Sequence, residues 1–239
     1  MNTDKNSYTL IYATVMVVIV ALMLAFVSSL LKDKQTENVE LDKKKQILNS
    51  LNVSFEGQDA AALYDKYIVK EIVVNAKAEV LTDAKGDAFK IDYVKQMSKS
   101  IDDRQLPLYI AEVDGATKYI ITLRGAGLWG PIWGYLALND DKNTIYGVYF
   151  SHASETPGLG AEISQHEFQH EFVGKHIFNQ DNKFVSIAVM KAGHVAKGQD
   201  QVDAISGGTI TSKGVEDMLF KSIGQYEAYL NNLNGGTVE

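Results

Sequence analysis

Residues Asp203 to Gly214 read Asp-Ala-Ile-Ser-Gly-Gly-Thr-Ile-Thr-Ser-Lys-Gly, with two adjacent glycines, several hydroxyls and a lysine leading into the last predicted helix. Gly207 and Gly208 let the backbone approach a bulky anion with no Cβ in the way. Ser206, Thr209, Thr211 and Ser212 offer hydroxyls. Lys213 and the helix N-terminus add positive charge, and the combination suits a phosphate. The same composition also suits a loop that merely caps a helix.

A second constellation is His166-Glu167-Phe168-Gln169-His170. It is a literal His-Glu-x-x-His, in which two imidazoles one helical turn apart bind zinc and the glutamate activates water. His176 falls where a third ligand would stand, but Val173 occupies the position at which the extended motif needs glycine. Short His/Glu patterns of this kind also arise on exposed polar helix faces. A membrane-anchored zinc hydrolase using His166, Glu167, His170 and His176 is therefore the alternative of another class. His152 and His194 have no evident partner and read as structural.

The elements that must position these residues follow from periodicity. Leu108–Val113 and Lys118–Leu123 are strand-like runs joined through Asp114-Gly115, a hairpin signal. Ile132–Leu138 and Thr144–Phe150 form a second such pair. A helical segment is predicted over 161–173, a strand over 184–190, and a final helix from about Ser212 to Asn231. Val215, Leu219, Ile223, Tyr226 and Leu230 recur at three- and four-residue steps, so that helix should pack on a sheet. Upstream, a short amphipathic helix is predicted over 58–67 and a strand within 68–81, while 83–104 is polar and poorly periodic. Hairpins mixed with helices, without regular βαβ alternation, give an α+β fold with a mainly antiparallel sheet.

Tyr8 to Leu31 carries no charge over 24 residues. As a helix it would be about 36 Å long, enough to cross a bilayer with some tilt. A cleaved signal peptide would have a shorter apolar core and a small-x-small cleavage site, so a retained transmembrane helix is expected. Membrane lipid is then a partner. The lysines after it (Lys32, Lys34, Lys43, Lys44, Lys45) outnumber Lys5 before it, which weakly favours a cytoplasmic main domain. The net charge of −7 argues against nucleic acid. With no cysteine, the chain has no disulfide framework, thiol nucleophile, thiolate-held iron–sulfur cluster or c-type haem attachment.

Asp203-x-x-Ser206-Gly207-Gly208-Thr209 resembles the acceptor motif of the covalent FMN-binding domain family, Asp-x-x-Ser/Thr-Gly-Ala-Thr, with Gly208 standing where alanine is usual. Gly127-Leu128-Trp129-Gly130-Pro131-Ile132-Trp133-Gly134-Tyr135, Glu155-Thr156-Pro157-Gly158-Leu159-Gly160-Ala161 and Gly174-Lys175 are similar to other segments of that family. With the N-terminal apolar segment, the pattern resembles the C subunits of Na+-translocating NADH:quinone reductases.

The resemblance implies FMN joined through its phosphate to Thr209. Ser206, Gly207, Gly208, Thr211, Leu128, Trp129, Glu155, Thr156, Leu159, Gly160 and Lys191 are then the cofactor-binding candidates. Leu128, Trp129 and Leu159 would cover the flat apolar ring, and Glu155 and Thr156 would bond its heteroatoms or ribityl chain. Thr209 is a poor nucleophile unaided. A separate flavin transferase is therefore expected, reading Asp203, Ser206 and Thr209.

The resemblance also implies an electron relay from an iron–sulfur centre to another flavin subunit, with other reductase subunits as partners. It places the main domain on the periplasmic side of a bacterial inner membrane, and this orientation is preferred over the lysine count. No substrate-converting site is expected in the chain itself. The expected organisation is a tail at 1–7, a transmembrane helix at 8–31, a membrane-proximal α/β segment at 32–106 and an FMN-binding domain at 107–239. The nearer alternative is the flavoprotein G subunit of an Rnf-type ferredoxin–NAD electron-transfer complex, which shares the acceptor motif.

Overall fold

The computed structural model describes residues 6–231, so the first five residues of the expected tail and the last eight of the chain lie outside the described residues. The chain divides after Lys43 into two units. Within the first lies most of helix α1 (Asn6–Ser50), whose apolar stretch is exposed along its length. Among the described residues it is the one helix long and apolar enough to cross a membrane. The charged segment from Asp33 onward continues it without a break.

The second unit is built on a sheet. Helix α2 (Ala60–Tyr67) starts at Asp59, whose carboxylate accepts the Ala61 N–H at 2.9 Å. That is the capping role for which aspartate is favoured. Then come β1 (Ile68–Val74), β2 (Val80–Thr82), α3 (Asp87–Lys90) and α4 (Tyr93–Met97). The two predicted hairpins follow as β3 (Leu106–Val113) with β4 (Ala116–Ala126), and β5 (Pro131–Leu138) with β6 (Ile145–His152). Asp114 and Gly115 both have positive φ, 53° and 76°, as a two-residue type I′ turn requires.

These strands form one antiparallel sheet in the order β2-β1-β3-β4-β5-β6. Ile72 of β1 sits opposite Leu108 of β3. The segment 32–106 therefore supplies the first strands of the same sheet, and the boundary drawn between 106 and 107 falls inside β3.

The helix expected over 161–173 is broken into a 3-10 turn (Gly160–Ser164) and the short α5 (His166–His170). The strand expected over 184–190 is only β7 (Ala188–Met190), and it pairs in parallel with β8 (Gln201–Asp203), which periodicity did not reveal. Three residues are too few to show alternation. Helix α6 (Thr209–Ile223) starts three residues earlier than expected, and a 3-10 turn joins it to α7 (Glu227–Asn231).

Both faces of the sheet are covered. On one, Val215, Met218, Leu219 and Ile223 of α6 pack with Leu108, Ile121, Leu123 and Ile132. On the other, Tyr109 is fully buried and its hydroxyl donates to the Ala88 carbonyl of α3. The end of α1 contributes the buried Ile47 and Leu48. Because apolar side chains on both faces leave water, the register of β3 and β4 is fixed from two sides.

Candidate functional site

Three loops converge on a pocket of about 220 Å³. The turn between β4 and β5 contributes Leu128 and Trp129, and the segment after β6 contributes Glu155, Thr156, Leu159 and Gly160. The third side is the start of α6, from Gly207 to Thr211. Each loop owes its shape to local chemistry. Gly127 N–H donates to the Gly130 carbonyl across the β4–β5 turn at 2.8 Å. The Leu159 and Ala161 N–H groups both donate to the Thr156 carbonyl, closing the Pro157-Gly158 turn, where Gly158 has φ of 74°. Gly207 also has a positive φ, 73°, and a Cβ there would stand 2.6 Å from Leu159 Cδ2.

Thr209 is the first residue of α6 and is exposed. The preceding Gly208 has no side chain to cap the helix, and Ser212 N–H is the first to bond back, to the Gly208 carbonyl at 2.8 Å. The first-turn N–H groups ahead of Ser212 are thus left for an anion at the helix N-terminus. Ser212 does not face that position, since it is buried and accepts the Ile205 N–H at 3.0 Å. Lys213 pairs with Glu216 at 2.5 Å, so the positive field at Thr209 comes from the helix end rather than from this ammonium.

Uncapped amides beside Gly207 and Gly208, the Thr209 hydroxyl, and the exposed apolar Leu128, Trp129 and Leu159 fit a flavin phosphate and ring. Glu155 lines the pocket and is also engaged within the protein. Its carboxylate is buried, accepting the Trp129 N–H on Oε1 at 2.8 Å and the Thr211 hydroxyl on Oε2 at 2.6 Å. Thr211 also lines the pocket, is buried, and donates its hydroxyl to Glu155.

Ser206 is exposed in the loop but does not line the pocket, and neither does Lys191, which is exposed after β7. Asp203 ends β8 with an exposed side chain, its N–H donating to Glu171 at 2.9 Å. Trp133 is not core: it is half-buried, its indole N–H donates to Gln46 at 3.2 Å and Arg124 stacks on its ring.

The imidazoles of His166 and His170 lie 5.5 Å apart, exposed on α5 beside a separate groove that residues 52–56 also line. His176 Nδ1 is 2.9 Å from the Asp200 carboxylate. Among the described residues no three histidine, aspartate or glutamate side chains are grouped to hold a metal ion. The zinc-hydrolase alternative is not supported.

Residues 127–223 match the FMN-binding domain family. That span begins at the β4–β5 turn and ends with α6, so it contains all three loops of the pocket. The C subunit of the Na+-translocating NADH-quinone reductase of Pseudomonas aeruginosa is 30% identical over 263 residues, covering 98% of this chain and 98% of its own.

The chain belongs to the family of C subunits of Na+-translocating NADH-quinone reductases.

A relative in that family, from Haemophilus ducreyi, is 32% identical over 230 residues, covering 90% of this chain and 89% of its own. The crystal structure of the C subunit from Parabacteroides distasonis ATCC 8503 is 50% identical with a TM-score of 0.77, covering 84% of this chain and 96% of that one. The α+β class and mainly antiparallel sheet inferred from periodicity agree with this family. These relatives are named as C subunits of the quinone reductase rather than as Rnf flavoproteins.

Proposed function

We propose that this protein is the membrane-anchored flavoprotein C subunit of a Na+-translocating NADH:quinone reductase, carrying FMN in phosphoester linkage on Thr209. The observation that carries this reading is the position of Thr209. It is an exposed hydroxyl on the first residue of an uncapped helix, at a pocket lined by Leu128, Trp129 and Leu159. When bound, FMN supplies one-electron redox chemistry to a chain that has no cysteine.

The chain's own residues bind and orient. Gly207 and Gly208 keep Cβ atoms away from the phosphate, and the first-turn amides of α6 oppose its charge. Leu128, Trp129 and Leu159 cover the ring, and Thr156 is exposed at the rim for its polar edge. Among the described residues no histidine or carboxylate is a hydrogen-bond partner of Thr209, so a flavin transferase reading Asp203, Ser206 and Thr209 would attach the group. In that step the Thr209 Oγ–P bond forms as the pyrophosphate P–O bond of FAD breaks. AMP leaves, and the hydroxyl proton passes to a base of the transferase.

Within the reductase the protein would relay electrons from an iron–sulfur centre to another flavin subunit during NADH-to-quinone transfer coupled to Na+ export. No acid or base for a substrate is then required of it. The helix within α1 would cross the bacterial inner membrane once, in contact with lipid and partner subunits, with the main domain on the periplasmic side. Its apolar stretch carries no charge, so the Na+ path would lie in other subunits.

The test is an intact mass of the protein from its native membrane, denatured, followed by peptide mapping. The FMN mass is expected on the peptide containing Thr209 and lost in Thr209→Val. An unmodified Thr209 in wild-type protein would overturn the reading.

A further inference from the structure

Among the described residues that line the pocket, Glu155 alone is charged, and it is only 5% exposed. A buried carboxylate without a counter-ion is costly unless hydrogen bonds satisfy it. No cation within ion-pair distance of it occurs among the described residues; it is held by Trp129 N–H and Thr211 O–H, at 2.8 and 2.6 Å.

Room for it is made by two glycines. A Cβ on Gly127 would stand 2.5 Å from Glu155 Oε1, and one on Gly160 would collide with Oε2 and stand 2.5 Å from Thr211 Oγ1. Among the described residues, the Thr211–Glu155 bond is the hydrogen bond that joins the first turn of α6 to the other two loops. Thr209 lies on that same turn.

We propose that Glu155 is a positioning residue rather than a flavin ligand. By accepting from Trp129 and Thr211 together, it holds the start of α6 against the β4–β5 turn and so fixes the Thr209 hydroxyl at the pocket. Its functional part rests on the reading of Thr209 as the FMN acceptor. The clamp works through hydrogen-bond geometry and does not depend on charge. A glutamine at 155 keeps both bonds, with its amide oxygen accepting the Trp129 N–H and its NH2 donating to Thr211 Oγ1. An alanine leaves the Trp129 N–H and the buried Thr211 hydroxyl without these partners.

The experiment uses the full chain co-produced with a flavin transferase, reading the early rate at which FMN mass appears on the Thr209 peptide. Amide hydrogen exchange of residues 127–130 and 212–215 is read on unloaded protein. Glu155→Ala is expected to slow attachment roughly tenfold and to lose protection in both segments. Glu155→Gln should stay within about twofold of wild type and keep that protection. Thr211→Val breaks the same bond from the other side and should slow attachment as Glu155→Ala does, which keeps the test readable if the alanine variant fails to fold.

Normal attachment and exchange in both bond-breaking variants would overturn the proposal. So would a glutamine variant as slow as alanine, because charge and not geometry would then be at work. A wild-type chain with no FMN on Thr209 would instead overturn the acceptor reading and the functional part of this proposal, and the exchange data would still decide whether Glu155 holds α6.

Discussion

Gly214, in the second turn of α6, rests on the carbonyl oxygen of Ala126 at the end of β4, with no room between them for a methyl group. A glycine inside a helix ordinarily costs about 1 kcal/mol relative to alanine. Here it lets the helix lie close on the strand that leads into the Leu128–Trp129 turn, and so brings Thr209 to the pocket. The obstructing atom is backbone, so it cannot swing aside as a side chain would. Gly214→Ala should destabilise the protein by about 1–3 kcal/mol despite its better helix propensity. Denaturant unfolding checks this; a more stable variant would show that α6 can slide on β4 freely.

Gly207 and Gly208 should respond differently to the same methyl group. Gly207 has φ of 73° and faces Leu159 Cδ2, so alanine there meets both backbone strain and a pocket side chain. Gly208 has φ of −107°, and a Cβ on it would stand 3.0 Å from Ile205 Cγ2, which can yield. Gly207→Ala is expected to cost about 1 kcal/mol and to lower FMN attachment, while Gly208→Ala retains attachment. Comparison of FMN per chain in the two variants tests this, and equal loss in both would refute it.

Buried tyrosines make the protein sensitive to alkali. Burial pushes Tyr109 and Tyr226 well above the ordinary phenol value near 10 and Tyr93 up to about 12. Above pH 10 the unfolded chain releases these protons while the folded chain keeps them. Stability is therefore full below pH 10 and is lost as pH rises through the folded values. The Tyr226 hydroxyl donates to the Pro107 carbonyl at 2.8 Å. Tyr226→Phe should cost about 1 kcal/mol at neutral pH and flatten the decline above pH 10. Urea midpoints measured from pH 7 to 11 would reveal an unchanged slope if this assignment is wrong.

The His166/His170 pair stands on α5 away from the pocket beside Thr209, next to a different groove. A doubly substituted chain, His166→Ala with His170→Ala, should carry as much FMN as wild type and change its stability by less than about 0.5 kcal/mol. Flavin content by absorbance after denaturation measures this directly. A loss of flavin would link α5 to the loop that carries Thr209 and require a different account of the motif.

Features set by neighbours in the chain were legible in the sequence. Asp114-Gly115 dictates its hairpin because both residues tolerate positive φ, and Tyr8–Leu31, lacking any charge, announces a long apolar helix. Gly207, Gly208 and Thr209 mark in the sequence the loop that lines the pocket at the start of α6. Periodicity also gave the packed face of α6, where Val215, Leu219 and Ile223 are fully buried.

Contacts between distant residues had no such local signal. The β1–β3 pairing joins strands separated by β2 and two short helices, and β7–β8 is too brief to alternate. Glu155 looked like a cofactor ligand because its type and motif permit that role. Only the fold, which brings Thr211 to it from 56 positions away, decided that its carboxylate is spent inside the protein. A side chain's chemistry is written in its residue type, but its partner is chosen by which surfaces the core presses together.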